Sequence, residues 1–369
     1  MKLFHCPHCG QTLYFENESC LNCSRTVGYS PDLGTMTSLR PEGPRWIADA
    51  DPDPSARYRF CANWEQGACN WLIPAPETAP VKEGALCTAC RHNRMIPDLS
   101  APEAKARWIR IETAKRRLIY TLLRLGLPLP LAGTGHPEPL IFDFLSQEGS
   151  AEPVMTGHAS GVVTIALEEA DDAEREKRRI GMGEDYRTLL GHFRHEIGHY
   201  YWDLLVRDGG HLEACRARFG DDREDYQGAL NRHYENGPPA DWAERHVSPY
   251  ASMHPWEDWA ETWAHYLHIV DTLEMAGSLG LTIYSAVGAP DEAVIAGQVD
   301  FDPMRLQEVA PLMRAWVPVS TALNALNRAM GQADIYPFVL PEPAVEKIGF
   351  VQRLVQEARD QGSRGSSGS

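Results

Sequence analysis

Eight of the nine cysteines stand at or before position 90, in two groups of four, and no other feature limits so tightly what this chain can fold into. The first group is Cys6-x2-Cys9 with Cys20-x2-Cys23. A C-x-x-C knuckle turns the chain so that two thiolates face one ion, and two knuckles complete a tetrahedral four-sulfur zinc site. Gly10–Ser19, between them, has the length of a short β-hairpin, so residues 1–28 are expected to form a zinc ribbon. The second group is Cys61-x7-Cys69 with Cys87-x2-Cys90, of which only the second half is a standard knuckle. It predicts a second four-cysteine zinc module within 29–100, the alternative being that Cys61 and Cys69 are buried free thiols. A closed four-thiolate site has no open coordination position, so both sites are read as structural. In modules this small the metal supplies much of the folding free energy. Cys215 stands alone in a charged helical stretch and reads as a packed thiol without a role.

The rest of the chain is ordinary in composition. Of 369 residues 43% are hydrophobic and 23% charged, enough for one sizeable domain beside the small modules. A net charge of −16 is the wrong sign for neutralising phosphates or for resting on an anionic membrane, so neither nucleic acid nor membrane is an expected partner. The basic run Lys105–Arg117 reads as a solvated helix face. No apolar stretch reaches the roughly 20 residues a membrane span needs. The N-terminus meets Cys6 before any apolar leader could form, so a cytoplasmic location with reduced thiols is expected. Gly28–Arg59, rich in Pro, Asp and Gly, reads as extended connection. Helical periodicity begins with Glu103–Leu127, where Trp108, Ile111, Leu118, Leu122 and Leu125 share a face. The domain expected from 101 to 358 is α+β, mostly helical with a small sheet near Leu140–Leu167 beside the helix that carries the chemistry. Its C-terminal helices, over Phe301–Ala358, carry proline breaks. Residues 359–369, rich in Gly and Ser, read as a flexible tail.

That helix is expected over Tyr186–Val206, which contains His195-Glu196-Ile197-Gly198-His199. Residues four apart share a helix face, so both imidazoles can reach one zinc ion, and Glu196 can take a proton from water at the same metal. Catalytic zinc sites usually add a third protein ligand. Tyr250–Asp271 (YASMHPWEDWAETWAHYLHIVD) supplies candidates, with a helix from Trp256 on and Pro255 near its first turn. Glu257 and Glu261 share a face of this aromatic-rich helix, and two carboxylates turned toward apolar rings need a positive partner. Glu257 is read as the third ligand. Glu261 is read as the acceptor that holds one ligand histidine in its tautomer, with the reverse assignment open. His158 reads as a turn or core histidine, and His192, His254 and His265 read as exposed histidines or as lining the cleft. Gly161–Glu168 (GVVTIALE) is the best strand in the chain.

His195-Glu196-x-x-His199 followed downstream by a helical Glu257-x-x-x-Glu261 resembles the gluzincin group of zinc metallopeptidases. Tyr250 precedes Glu257 by the same interval as in the gluzincins like anthrax lethal factor. The combination with an N-terminal zinc ribbon is similar to a bacterial family of zinc-ribbon-containing zinc-binding metallopeptidases, over nearly the whole chain. Where the thermolysin-like version of the downstream motif ends in Asp, this chain has Glu261. The resemblance implies a zincin-like domain, a Tyr250 hydroxyl that stabilises the oxyanion, and a strand at Gly161–Glu168 set along the cleft, where a peptide could pair. An interior sheet strand is the other reading of that segment.

These parts imply one catalytic and two structural zinc ions, and a protein or peptide substrate. Glu196 would accept the proton of the attacking water and deliver it to the leaving amine. Two other functions fit parts of the chain. A non-catalytic binding module that recruits a protein partner through its ribbons would need no Glu196. A nucleic-acid-associated protease would need basic residues near the knuckles, which are few. No P-loop, GxGxxG-plus-helix or GxSxG pattern is present.

Overall fold

The knuckles organise the beginning of the chain. The structure, a computed structural model, describes residues 1–80, 82–147, 154, 156–182, 188–285 and 295–366. Strands β1 (Phe4–His5) and β2 (Thr12–Leu13) pair antiparallel, closed by hydrogen bonds from the Cys6 N–H to the Gln11 carbonyl and from the Gly10 N–H to the Cys6 carbonyl. The residue after each knuckle's second cysteine, Gly10 at φ 77° and Ser24 at φ 58°, is left-handed, which turns the backbone around the sulfurs.

Gly28–Arg59 is not a connection. It forms most of a five-stranded antiparallel sheet, β3 (Val27–Ser30), β4 (Thr35–Glu42), β5 (Arg45–Ala48), β6 (Tyr58–Phe60) and β7 (Leu72–Pro74), paired in that order. The glycines that suggested a linker are the hairpin corners: Gly34 and Gly43 take φ 63° and 57°, as tight turns between strands require. Leu39, Ala48, Tyr58, Phe60 and Leu72 pack on one face of this sheet. Next come β8 (Asn93–Met95), α1 (Pro102–Leu125), β9 (Ile141–Leu145), β10 (Gly157–Ala159) and β11 (Val162–Ala166). β9 pairs in parallel with both β8 and β11, and β11 has a neighbour on each side. It is therefore an interior strand, and the cleft-edge role implied for it by resemblance has no free edge to use.

The chain divides into two compact units. The first is residues 1–123, 129–157 and 161–171; the second is 124–128, 158–160 and 172–369. Most of α1 belongs to the first unit, and there the basic run is no solvated face: Lys115 is fully buried and Arg116 nearly so. Lys115 meets Glu112 at 2.9 Å, and the Arg116 guanidinium donates to Asn70 Oδ1 at 3.3 Å. Partners of opposite charge or polarity let the positions stay inside.

The second unit is mostly helical, with one short antiparallel strand pair (Thr282–Tyr284 with Ala296–Gln298): α2 (Asp172–Met182), α3 (Leu189–Tyr201), α4 (Leu212–Phe219), α5 (Tyr226–Asn236), α6 (Pro255–Ser278), α7 (Val309–Ala329) and α8 (Glu342–Ser366). The helix expected from Tyr186 begins at Leu189, where Thr188 caps it by accepting the Gly191 N–H at 2.9 Å; Tyr186 and Arg187 lie outside the described residues. A π-helical turn, Trp202–Arg207, continues it. α6 is the spine, with α3, α4, α7 and α8 packed against it around buried Trp259, Trp263 and Leu267. Pro318 sits inside α7 rather than breaking it. α8 runs on through 359–366, where composition suggested a tail; a helix already anchored by buried Ala344, Ile348, Val351 and Val355 propagates at little cost. Among the described residues no helix is long and apolar enough to cross a membrane.

Candidate metal centre

Three groups of side chains converge as metal ligands do. In the ribbon, Cys6, Cys9, Cys20 and Cys23 bring their sulfurs together, with Cys6 and Cys23 3.8 Å apart and Cys9 and Cys20 3.6 Å apart. Four sulfurs at the usual zinc distance define a tetrahedron whose edge is about 3.8 Å, so the cage fits that ion. Cys61, Cys69, Cys87 and Cys90 form a second cage, fully buried, with Cys69 and Cys87 3.6 Å apart and the Cys87 N–H donating to Cys61 Sγ at 3.4 Å. The alternative of isolated thiols at Cys61 and Cys69 does not describe this grouping. Lys115 lies behind it, paired with Glu112, whose Oε2 is 3.6 Å from Cys90 Sγ. Burial works against the ammonium, but Glu112 and the Cys90 and Cys87 sulfurs hold its pKa above the usual lysine range. A fixed positive charge here offsets the surplus negative charge of four thiolates.

The third group stands in the second unit on α3 and α6. His195 and His199 are one turn apart on α3, with Nε2 atoms 3.2 Å from each other. Glu257, in the first turn of α6, puts Oε2 3.0 Å from His195 Nε2 and 3.5 Å from His199 Nε2. Three donors around a tetrahedral zinc stand about 3.3 Å apart, so these atoms match such an ion. Three electron-pair donors turned on one point in a largely buried place suit a cation. It is Glu257 rather than Glu261 that reaches the two Nε2 atoms.

Glu261, one turn on, accepts the His195 Nδ1–H at 2.8 Å, and its other oxygen accepts from the Ser248 hydroxyl at 2.6 Å. The bond fixes the tautomer that leaves Nε2 free for a metal. Burial alone would raise the Glu261 pKa, yet His195 and Ser248 hold it below the usual carboxylate range. Burial likewise opposes charge on Glu257, and His199 and His195 keep its pKa well down. His199 is held differently, by the Trp256 ring 3.9 Å away.

The approach of α3 to α6 depends on Gly198. A Cβ there would lie 3.0 Å from Ala260 Cα and 3.2 Å from its carbonyl oxygen. The Gly198 carbonyl also accepts the Trp259 indole N–H at 2.8 Å. Two small residues face to face let the backbones close, and the ligand atoms meet. At the start of α6, His254 is a cap rather than a ligand: its Nδ1 accepts the Trp256 N–H at 3.1 Å. His265 pairs with the Tyr336 hydroxyl at 2.5 Å. His158 stacks 6.5 Å from His199 ring to ring, and neither it nor His192 joins the ligand group.

Glu196 is buried on the turn between the two histidines. Tyr250 begins a short 3-10 turn before α6, its ring 6.0 Å from that of His195. Two residues that no motif announced complete the surroundings. One is Ser248, on Glu261; the other is Tyr226 of α5, whose hydroxyl donates to Glu257 Oε1 at 2.9 Å. Neither has a fixed spacing from a ligand, so only the folded chain reveals them.

Two sulfur cages and a two-helix His/His/Glu site together define a zinc-binding protein with a ribbon module. Residues 104–354 match the family described as "Putative zinc-binding metallo-peptidase", and residues 3–101 match a zinc-ribbon domain; the chain belongs to that metallopeptidase family. Uncharacterised proteins of Mycobacterium bovis and of two strains of Mycobacterium tuberculosis are each 43% identical to it over 360 residues, covering 97% of this chain and 96% of theirs. No solved structure matches it.

Proposed function

We propose that this protein is a zinc-dependent metallopeptidase of gluzincin type, with a zincin-like catalytic unit and two structural zinc sites. The observation that carries the reading is the convergence of His195 Nε2, His199 Nε2 and Glu257 Oε2 within 3.0–3.5 Å beside buried Glu196. Zinc, when bound, supplies the Lewis acidity that polarises water and a substrate carbonyl. Glu196 accepts the proton of the attacking water as the C–O bond forms, and returns it to the amine as the C–N bond breaks. Glu261 keeps His195 in the tautomer that can bind. Tyr250 is the donor for the oxyanion. None of the nine cysteines is disulfide-bonded, which suits a reducing compartment such as the cytoplasm.

Elemental analysis tests the reading first. About three zinc ions per chain are expected, falling to about two in a His199→Ala, Glu257→Ala double variant. A wild-type count of two, unchanged by the substitutions, overturns it. If the third ion is present, Glu196→Gln should keep it and lose peptide hydrolysis by roughly a hundred- to ten-thousand-fold. Full hydrolysis with Glu196→Gln would remove the general base from the scheme.

A further inference from the structure

Tyr226 has no part in the scheme above, yet it makes a direct contact with a ligand side chain. It opens α5, whose first turn is capped by Asp225 accepting the Gly228 N–H at 3.1 Å. From there its ring packs 5.2 Å from that of His254 and 6.1 Å from that of Trp256, and its hydroxyl donates to Glu257 Oε1 at 2.9 Å.

The two oxygens of Glu257 therefore differ. Oε1 is committed to Tyr226, while Oε2 faces the two imidazole nitrogens. A carboxylate free to turn can bind a metal through both oxygens and fill two coordination positions, whereas hydrolysis needs one left open. We propose that Tyr226 is a positioning residue that holds Glu257 as a one-oxygen ligand. The inference rests on reading His195, His199 and Glu257 as metal ligands. Its content is the division of labour between the two carboxylate oxygens.

The test uses the full chain and metal binding rather than turnover. Tyr226→Phe keeps the ring of a half-buried residue and removes only the hydroxyl. Tyr250→Phe removes another hydroxyl beside the site, on a ring 6.0 Å from that of His195, and leaves the bond to Oε1 intact. The third site is titrated with zinc against a chromophoric chelator. It is then loaded with cobalt(II), and the visible spectrum of the His199→Ala, Glu257→Ala variant is subtracted to remove the cysteine sites. Tyr226→Phe is expected to weaken the third site by roughly ten- to a hundred-fold. It should also dim the intense bands of four-coordinate cobalt as a second carboxylate oxygen comes in. Tyr250→Phe is expected to match wild type in both. Wild-type affinity and spectrum in Tyr226→Phe, or an equal loss in the two variants, overturns the inference while the metal site stands. A wild type that takes up no third ion overturns the metal site itself, so the two failures are distinct.

Discussion

The sulfur cages and the His/His/Glu group are assembled by opposite strategies. In the first unit the ligands are close in the chain, Cys6 and Cys23 being 17 residues apart and Cys69 and Cys87 18. Left-handed turns at Gly10 and Ser24 shape the ribbon's knuckles locally. The strands beside the ribbon cage are two residues long, each with a single buried residue, Phe4 and Leu13, so the ion is part of what keeps it folded. In the second unit, His195 and the glutamate that orients it are 66 residues apart, on helices that pack through Gly198, Ala260, Trp259 and Trp263. Here the apolar core comes first and the ligands are placed by it. A structural site can depend on its ion to fold; a site that must keep an open position needs a scaffold that stands without one.

The sharpest way to break this contrast is to remove metal. Cys20→Ser with Cys23→Ser should unfold the ribbon, seen as rapid proteolytic cutting within residues 1–30, because structural zinc in such modules is worth on the order of 10 kcal/mol. His199→Ala with Glu257→Ala should leave the helical circular dichroism of the second unit intact. Collapse of those helices in the second variant would show that both units need their ions alike.

Lesser effects probe the scaffold. Lys347 is paired with Asp258 at 2.6 Å, both buried, tying α8 to α6. Lys347→Met strands a buried carboxylate and should cost about 3 kcal/mol in denaturant melts of the second unit, with the ribbon sites untouched. A change below the error of the melt would mean that the core does not depend on this pair. Gly198→Ala should cost about 1–3 kcal/mol through the clash with Ala260. It should also weaken zinc at the third site; unchanged affinity would separate the helix approach from the ligand geometry. The smallest effect is expected at Cys215. Burial pushes its thiol up to about 12, so it should resist iodoacetamide at pH 8 in the folded protein, and fast labelling would show a looser core than described.

Much of the site was legible because helices and knuckles are short-range objects. The i, i+4 spacing of His195 and His199, and of Glu257 and Glu261, fixes a shared face whatever the fold around it. The C-x-x-C pairs fix a turn in the same way. Periodicity likewise announced α1, and Pro255 announced the start of α6. Where local composition stood in for pairing, the reading failed. Gly34 and Gly43 suggested a linker and are the corners of a sheet, and the charges of Lys105–Arg117 suggested solvent although Lys115 is buried against Glu112.

The sequence by itself determined the ligand inventory: eight cysteines in two cages, two histidines and a helical pair of glutamates. Only the tertiary structure decided which glutamate meets the imidazoles, which oxygen of it is free, and that Ser248 and Tyr226 attend the two carboxylates. The reason is geometric. Spacing along one helix sets which side chains share a face, but the distance between faces depends on how closely α3 and α6 approach, and that depends on Gly198 meeting Ala260 across the whole of the intervening chain.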